Sequence, residues 1–216
     1  MSILFYMSGA IVFTIGGLLL LLTSLISRKL MFKYIPVFCH VLMFSMGVRI
    51  KQKGIFPKGG PFVIMSNHGS FIDPFVVPPS IKGEYTAIVA KKNWKIPVFS
   101  NLLKMLKAVP VQRGNKESAM QSIKIAEKII HSDGGCNMVI LPEGTRTLDG
   151  KLQKFKKGGF HMAINTNTPI LLIAHKNTCL YKPKNRWTLS PRTIEVIIGP
   201  VIDISSYDRN NIDELI

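Results

Sequence analysis

The chain has 216 residues, with 28 Lys and Arg against 12 Asp and Glu, a formal net charge of +16 and three cysteines. This length allows one sizeable core, or a membrane segment followed by one compact domain. Three widely separated cysteines without a Cys-x-x-Cys pair exclude a disulfide framework and a cysteine-based zinc site, and they are typical of a reducing compartment.

The N-terminal region begins with a long apolar segment. Residues 3–26 contain no charge, and at ~1.5 Å per residue they are long enough to cross a ~30 Å hydrocarbon layer. We interpret this segment as a membrane helix rather than a cleaved signal peptide, because nothing basic precedes it and no small-residue cleavage site follows it. Arg28, Lys29 and Lys33 come next. By the positive-inside rule they predict that the rest of the chain faces the cytoplasm.

A second apolar stretch, residues 34–48, is short for a membrane span and contains Pro36. It predicts an interfacial helix that forms a hairpin-like anchor with the first. We therefore divide the chain into an anchor, residues 1–48, and a single domain, residues 49–216. Whether the first helix spans the bilayer or enters one leaflet stays open. The domain is strongly basic, which favours anionic lipid as a partner, while no nucleic-acid-binding motif accompanies the charge.

The domain alternates short strand patterns with helical ones. Residues 116–132 have the clearest helical periodicity, since Ala119, Ile123, Ala126 and Ile130 share one apolar face. Runs rich in β-branched residues predict strands at 62–66, 85–90, 108–112, 138–142, 170–175 and 193–199. Strands that alternate with helices predict an α/β domain built on a mixed sheet flanked by helices.

The stretch "NHGSFID", residues 67–73, follows the first predicted strand of the domain. Ligands of α/β sheets bind at the carboxyl ends of strands. His68 and Asp73 would point ~140° apart on a straight helix, but Pro74 favours a bent turn in which Asp73 caps a new helix. A carboxylate bonded to one imidazole nitrogen leaves the other nitrogen free as a base. The alternative is a surface histidine beside a plain helix cap.

The stretch "PEGTR", residues 142–146, follows another predicted strand. The backbone donors of Gly144 and Thr145, the Thr145 hydroxyl and the guanidinium fork of Arg146 suit a phosphate monoester. Three further cations follow at Lys154, Lys156 and Lys157. Taken alone, this stretch is equally compatible with an ordinary turn that carries a surface ion pair.

Together, His68-x4-Asp73 and Glu143-Gly144-Thr145-Arg146, in this order and some seventy residues apart, resemble the motifs of the glycerolipid acyltransferases, in particular the 1-acyl-sn-glycerol-3-phosphate acyltransferases. "AVPVQRG" (108–114) and "TPILLIAH" (168–175) resemble two further stretches of that family. The chain departs from the family after Ile170, where a second proline is usual. A further departure is "AKKNWKIP" (90–97), which is one residue shorter than the usual form.

The resemblance implies a glycerolipid-acyltransferase-like fold and transfer of an acyl group from a thioester of coenzyme A or acyl carrier protein to the 2-hydroxyl of lysophosphatidic acid, which forms phosphatidic acid. No metal or redox cofactor is expected, because a thioester is already activated. It further implies a membrane protein, in a bacterium an inner-membrane protein, with the catalytic domain in the cytoplasm. Acyl-chain length, the choice of donor and the oligomeric state stay open.

The resemblance also implies roles for individual residues. His68 is the general base, Asp73 orients it, and the backbone of Gly69 and Ser70 supplies oxyanion donors. Glu143 and Asn67 orient the substrate, with Glu143 acting on Arg146 or on a glycerol hydroxyl. The predicted phosphate-binding residues are Arg113, Arg146, Gly144, Thr145 and either Lys91 or Lys92.

Three alternatives remain. The first is another acceptor, such as glycerol 3-phosphate, a different lysophospholipid or an ornithine-type lipid. The second is a mechanism in which Ser70 is acylated before transfer. The third is a non-catalytic protein that binds anionic lipid, which explains the charge and the anchor but leaves the spaced His68 and Asp73 without a use.

Overall fold

The computed structural model describes residues 1–112, 114–132 and 135–216. The helices are α1 (Ser2–Ile26), α2 (Arg28–Ser45), α3 (Asp73–Val76), α4 (Phe99–Met105), α5 (Lys116–Ile130), α6 (Gly158–Asn165), α7 (Thr178–Tyr181) and α8 (Ile212–Leu215). The strands are β1 (Val48–Lys53), β2 (Val63–Ser66), β3 (Tyr85–Ala90), β4 (Val109–Val111), β5 (Asn137–Ile140), β6 (Ile170–Lys176) and β7 (Arg192–Ile202).

The strands form one mixed sheet in the order β1-β7-β6-β2-β5-β3-β4. Among the described strands, the β6–β7 pairing is antiparallel and the other five pairings are parallel. Strand β2 lies at the centre, between β6 and β5, and all four of its residues are buried. The carboxyl ends of β2, β3, β5 and β6 therefore meet at one edge of the sheet, which is where the sequence predicts the site.

Helices cover both faces of the sheet, which confirms the predicted α/β class. Ile64 of β2 packs into the cluster on the α2 and α3 side, whereas Val63 and Met65 pack against α5 and α6. This alternation follows from the period of two in a strand, and burial on both faces explains why β2 is apolar throughout.

The six predicted strands all form, and the predicted helix 116–132 ends at Ile130. Strand β1 is an additional one. Its sequence, "VRIKQK", is mostly polar because only Val48 is fully buried and the strand lies at the sheet edge beside β7. Edge strands often carry lysine for this reason. The division at residue 48 stays a prediction, but α2 shares the domain core through Met31, Leu42 and Met43.

Helices α1 and α2 pack together as a hairpin, and α1 also packs on α4. In the described part of the chain, α1 is the one helix long and apolar enough to cross a membrane. Its outward side is apolar and exposed at Ile3, Leu4, Met7, Ile11, Ile15, Leu18, Leu19 and Leu22. Both ends of α1 meet the domain: Tyr6 donates to the Trp187 carbonyl (2.7 Å), and just beyond Ile26, Arg28 pairs with Glu84 (2.6 Å).

Candidate active site

His68 and Asp73 are in contact at the carboxyl end of β2. The His68 Nδ1 lies 2.7 Å from Asp73 Oδ2, and the two side chains are 12% and 1% exposed. The turn over residues 67–72 brings them together, as the sequence predicts. Asp73 is the first helical residue of α3 rather than its cap, because Ile72 takes the cap position and Pro74 fits the first turn of the helix.

Asp73 also fixes the turn that carries the histidine. The Ser70 N–H donates to both carboxylate oxygens, at 3.1 and 3.0 Å. We therefore correct the prediction that the Ser70 N–H is an oxyanion donor, since it is committed to Asp73. The Ser70 hydroxyl is buried and donates to the Lys182 carbonyl (3.0 Å), so it is not poised as a nucleophile either.

The Gly69 N–H donates to no atom of the described residues, so it remains a candidate oxyanion donor. A glycine is required at this position because of packing, rather than to let the backbone approach the substrate closely. A β-carbon at Gly69 would collide with the Thr178 hydroxyl at the start of α7. Packing against α7 therefore excludes any larger residue at this position.

Glu143 holds the backbone of His68 rather than Arg146. Its carboxylate is 3% exposed and accepts from the His68 N–H (2.6 Å) and from the Gln153 N–H (2.9 Å). The His68 carbonyl in turn accepts from the Thr147 N–H (3.0 Å). The stretch 142–147 thus hydrogen-bonds both the N–H and the carbonyl group of His68. This contact is a physical reason for the two motifs to occur together.

Asn67 joins β2 to β6. Its side-chain amide accepts from the His175 N–H (2.9 Å) and donates to the His175 carbonyl (3.0 Å). The role of Asn67 in orienting substrate stays a prediction, and both polar atoms of its amide are hydrogen-bonded within the protein. The bonds from Asn67 also place His175 in the site, with its side chain next to Asp73. Sequence analysis does not single out this residue.

Two cavities meet at His68. The first, of about 170 Å³, is lined by apolar residues of α2, α3, β3 and α4, with His68 and Asp73 at its polar end. The second, of about 460 Å³, lies over the carboxyl ends of β3, β4 and β5 and includes His68, Gly144, Lys116 and Lys156. His68 therefore lies where groups bound in the two cavities can approach each other.

Three cationic residues, Arg146, Lys182 and Lys184, form a basic group at the motif 142–146. The Lys184 ammonium donates to the Thr145 hydroxyl (3.2 Å). The pKa of Lys182 is lowered, first by its partial burial and then by the nearby charge of Arg146. Among the described residues, neither these two lysines nor Arg146 forms an ion pair. Lys182 and Lys184 lie some forty residues beyond the motif, and only the tertiary structure places them next to it.

Other predicted phosphate-binding residues are less engaged. The Gly144 N–H donates to the Leu141 carbonyl (2.9 Å), so we correct its predicted role as a phosphate donor. Lys91 and Lys92 follow β3 at the same sheet edge, are exposed and make no described contact with Arg146. Arg113 lies outside the described residues.

The arrangement suits proton transfer. A carboxylate can only accept from the imidazole, so His68 carries its proton on Nδ1 and presents Nε2 as a base. Within the described residues, no group of three His, Cys, Asp or Glu side chains is placed to hold a metal ion. The expectation of a reaction without a cofactor stays a prediction.

Known proteins of one family are similar to this chain in sequence. The Acyltransferase family model matches residues 47–176. A protein of Pseudomonas aeruginosa, named 1-acyl-sn-glycerol-3-phosphate acyltransferase, is 31% identical over 172 residues, which cover 78% of this chain and 65% of that protein. A Borreliella burgdorferi protein of the same name is 29% identical over 175 residues, covering 79% of this chain and 69% of the relative.

The fold comparison covers more of the chain. The crystal structure of the 1-acyl-sn-glycerophosphate acyltransferase of Thermotoga maritima matches 99% of this chain and 90% of that one, with a TM-score of 0.81 at 23% identity. That likeness shows the same fold. The chain spans 65% and 60% of the first two curated relatives it matches. Because the family model matches more than half of this chain, the chain belongs to the Acyltransferase family.

Proposed function

We propose that this protein transfers a fatty acyl group from an acyl thioester to the 2-hydroxyl of 1-acylglycerol 3-phosphate and so forms phosphatidic acid. The observation that carries the proposal is the hydrogen-bonded His68–Asp73 pair, whose histidine lines both an apolar cavity and a second cavity that also contains Lys116 and Lys156. The names of the relatives from P. aeruginosa and B. burgdorferi support the choice of acceptor.

In the proposed reaction, His68 Nε2 removes the proton of the acceptor hydroxyl as its oxygen attacks the thioester carbon. A new ester C–O bond forms, the C–S bond breaks, and His68 returns the proton to the departing thiolate. General-base help of this kind contributes typically ~10² to 10⁴-fold. Asp73 keeps the required tautomer and stabilises the imidazolium. The Gly69 N–H is the donor we assign to the developing oxyanion.

The phosphate of the acceptor is assigned to the basic group beside Thr145. Arg146 offers a bidentate fork, Lys184 adds a point charge at the Thr145 hydroxyl, and Lys182 adds another within electrostatic range of Arg146. Burial and then the charge of Arg146 lower the pKa of Lys182, so an anion bound beside both side chains would relieve the second of these effects. We keep Arg113, and Lys91 or Lys92, as further phosphate-binding candidates from the family resemblance. Binding the phosphate places the hydroxyl beside His68, and such positioning supplies much of an enzyme's rate.

The apolar cavity is assigned to the acyl chain. Its walls are formed by residues such as Leu20, Ile35, Phe38 and Leu102, while its polar end contains the catalytic pair. A fatty chain buried there places its thioester carbonyl next to His68. Coenzyme A and acyl carrier protein are both acidic and both suit the basic face of the domain, so the donor is left for the assay to decide.

We place α1 in one leaflet rather than across the membrane. Its N-terminal turn contacts the Trp187 carbonyl, and Arg28 just beyond its other end pairs with Glu84 of the same domain. A spanning helix would separate these ends by a ~30 Å hydrocarbon layer. The exposed apolar side of α1 then enters the bilayer, and both ends of this helix lie on the cytoplasmic side. A tag at residue 1 should be accessible only from the side on which the domain is accessible.

The test is acyl transfer by purified protein in detergent. Thioesters of coenzyme A and of acyl carrier protein are offered with lysophosphatidic acid, glycerol 3-phosphate or lysophosphatidylcholine. Product from lysophosphatidic acid, abolished in His68→Ala with an unchanged unfolding midpoint, supports the proposal. Transfer only to another acceptor keeps the mechanism and rejects phosphatidic acid. No transfer from either donor, together with lipid binding unaffected by His68→Ala, favours the non-catalytic alternative.

A further inference from the structure

A second histidine faces the catalytic carboxylate from the side opposite His68. The His175 side chain is fully buried, and its Nε2 lies 3.7 Å from Asp73 Oδ1. This nitrogen has no hydrogen-bond partner among the described residues. A buried polar atom without a partner is uncommon and needs an explanation. Within the described part of the chain, the charged group that lies within 4 Å of this nitrogen is the Asp73 carboxylate.

The other ring nitrogen defines what Nε2 can do. His175 Nδ1 lies 3.1 Å from the Thr178 hydroxyl. If the hydroxyl donates to Nδ1, the ring carries its proton on Nε2 and directs an N–H toward Asp73. If Nδ1 carries the proton instead, the Nε2 lone pair faces a buried carboxylate, which is repulsive. The first arrangement is therefore the stable one in a neutral ring.

His175 is held in this position by its backbone and by its neighbours. The Asn67 amide bonds both its N–H and its carbonyl, and Gly69 leaves just enough room for Thr178. The distance of 3.7 Å exceeds that of an N–H···O hydrogen bond, which is about 2.7–3.2 Å, so the contact between His175 Nε2 and Asp73 Oδ1 is electrostatic.

We propose that His175 is a positioning residue for the reaction: its Nε2–H holds Asp73 Oδ1, so that Asp73 Oδ2 stays directed at His68. The Asp73 carboxylate is buried, and the Ser70 N–H is its other donor on this side. A second donor stabilises the anionic carboxylate and limits its rotation. Thr178 fixes the tautomer of His175 as Asp73 fixes that of His68. This inference rests on the acyl transfer proposed above.

The decisive pair of variants is His175→Gln and His175→Phe. Glutamine can place an amide N–H near the position of Nε2, whereas phenylalanine fills the volume without a donor. We expect kcat to fall about 10- to 100-fold in His175→Phe, because misplacing a catalytic group by about 1 Å costs up to about 100-fold, while the acceptor KM should stay within twofold. His175→Gln should recover most of that loss. His131→Phe, at the exposed end of α5, is the matched control and should leave kcat unchanged.

The outcomes separate this inference from the proposed function. Equal losses of kcat in His175→Gln and His175→Phe, in step with their unfolding midpoints, would mean a packing role and overturn the proposal. Wild-type kcat in His175→Phe would overturn it as well. If the wild-type protein transfers no acyl group, the proposed function fails, and NMR of ¹⁵N-histidine-labelled protein still decides on His175. An Nε2–H tautomer that is lost from the spectrum in Thr178→Val supports the contact, and an Nδ1–H tautomer in the wild type rejects it.

Discussion

Replacing Glu143 by glutamine separates two roles for this residue. In the structure its carboxylate accepts from the backbone N–H groups of His68 and Gln153 and makes no contact with Arg146. Glutamine has the same shape but only one acceptor oxygen, and its amide nitrogen must face one of the two N–H donors. We expect Glu143→Gln to lower kcat while the acceptor KM stays nearly constant, because the interaction lost is one that places the base.

The size of the effect follows from burial. Glu143 is 3% exposed, so the N–H that loses its acceptor gains no water in exchange. A buried unsatisfied donor costs about 1–3 kcal/mol, which at ~2–4 °C per kcal/mol for a domain of this size lowers the unfolding midpoint by about 2–12 °C. A displacement of His68 by about 1 Å costs about 100-fold in rate. We therefore expect kcat to fall between about 10- and 100-fold.

Steady-state transfer to lysophosphatidic acid, with both substrates varied, measures this prediction. Glu117→Gln is the matched control, since that residue is exposed in the first turn of α5 and should change neither kcat nor the midpoint by more than a small amount. A Glu143→Gln enzyme with normal kcat and an acceptor KM raised tenfold or more would refute the role of Glu143 in positioning the His68 backbone. It would support the sequence-based role, in which Glu143 orients Arg146 or a glycerol hydroxyl.

Three further predictions address the cavities and the basic group. Arg146→Ala and Lys182→Met should each raise the KM for lysophosphatidic acid about 10-fold or more. The KM for a lysophospholipid whose phosphate is esterified should change less. An unchanged KM in both variants would mean that the phosphate binds at another place. Ser70→Ala should keep turnover within about tenfold, since one hydrogen bond of about 0.5–1.5 kcal/mol to the Lys182 carbonyl is lost, whereas an acyl-serine mechanism requires complete loss. Cys39→Leu should narrow the apolar cavity and lower the ratio of long-chain to short-chain thioester use, which competition between two chain lengths measures; an unchanged ratio would place the acyl chain outside this cavity.

The sequence predicts the strands and the pairing of His68 with Asp73 because both depend on local chemistry. The apolar runs fix the buried strands, and a histidine and an aspartate five residues apart can meet only through a turn, which Pro74 favours. It does not predict β1, whose residues at a sheet edge lack the apolar pattern of a buried strand.

What each side chain of the site touches is decided by the tertiary structure. The parallel neighbours β6, β2 and β5 bring residues from distant parts of the chain to one edge. Glu143 thereby bonds the His68 backbone, and Lys182 comes within electrostatic range of Arg146. His175 is about one hundred residues from Asp73 in sequence, and no local pattern marks it. By itself, then, the sequence determined the class of fold and the acid–base pair, because these follow from local residue patterns. The supporting contacts were decided only by the fold, because they depend on which strands become neighbours in the sheet.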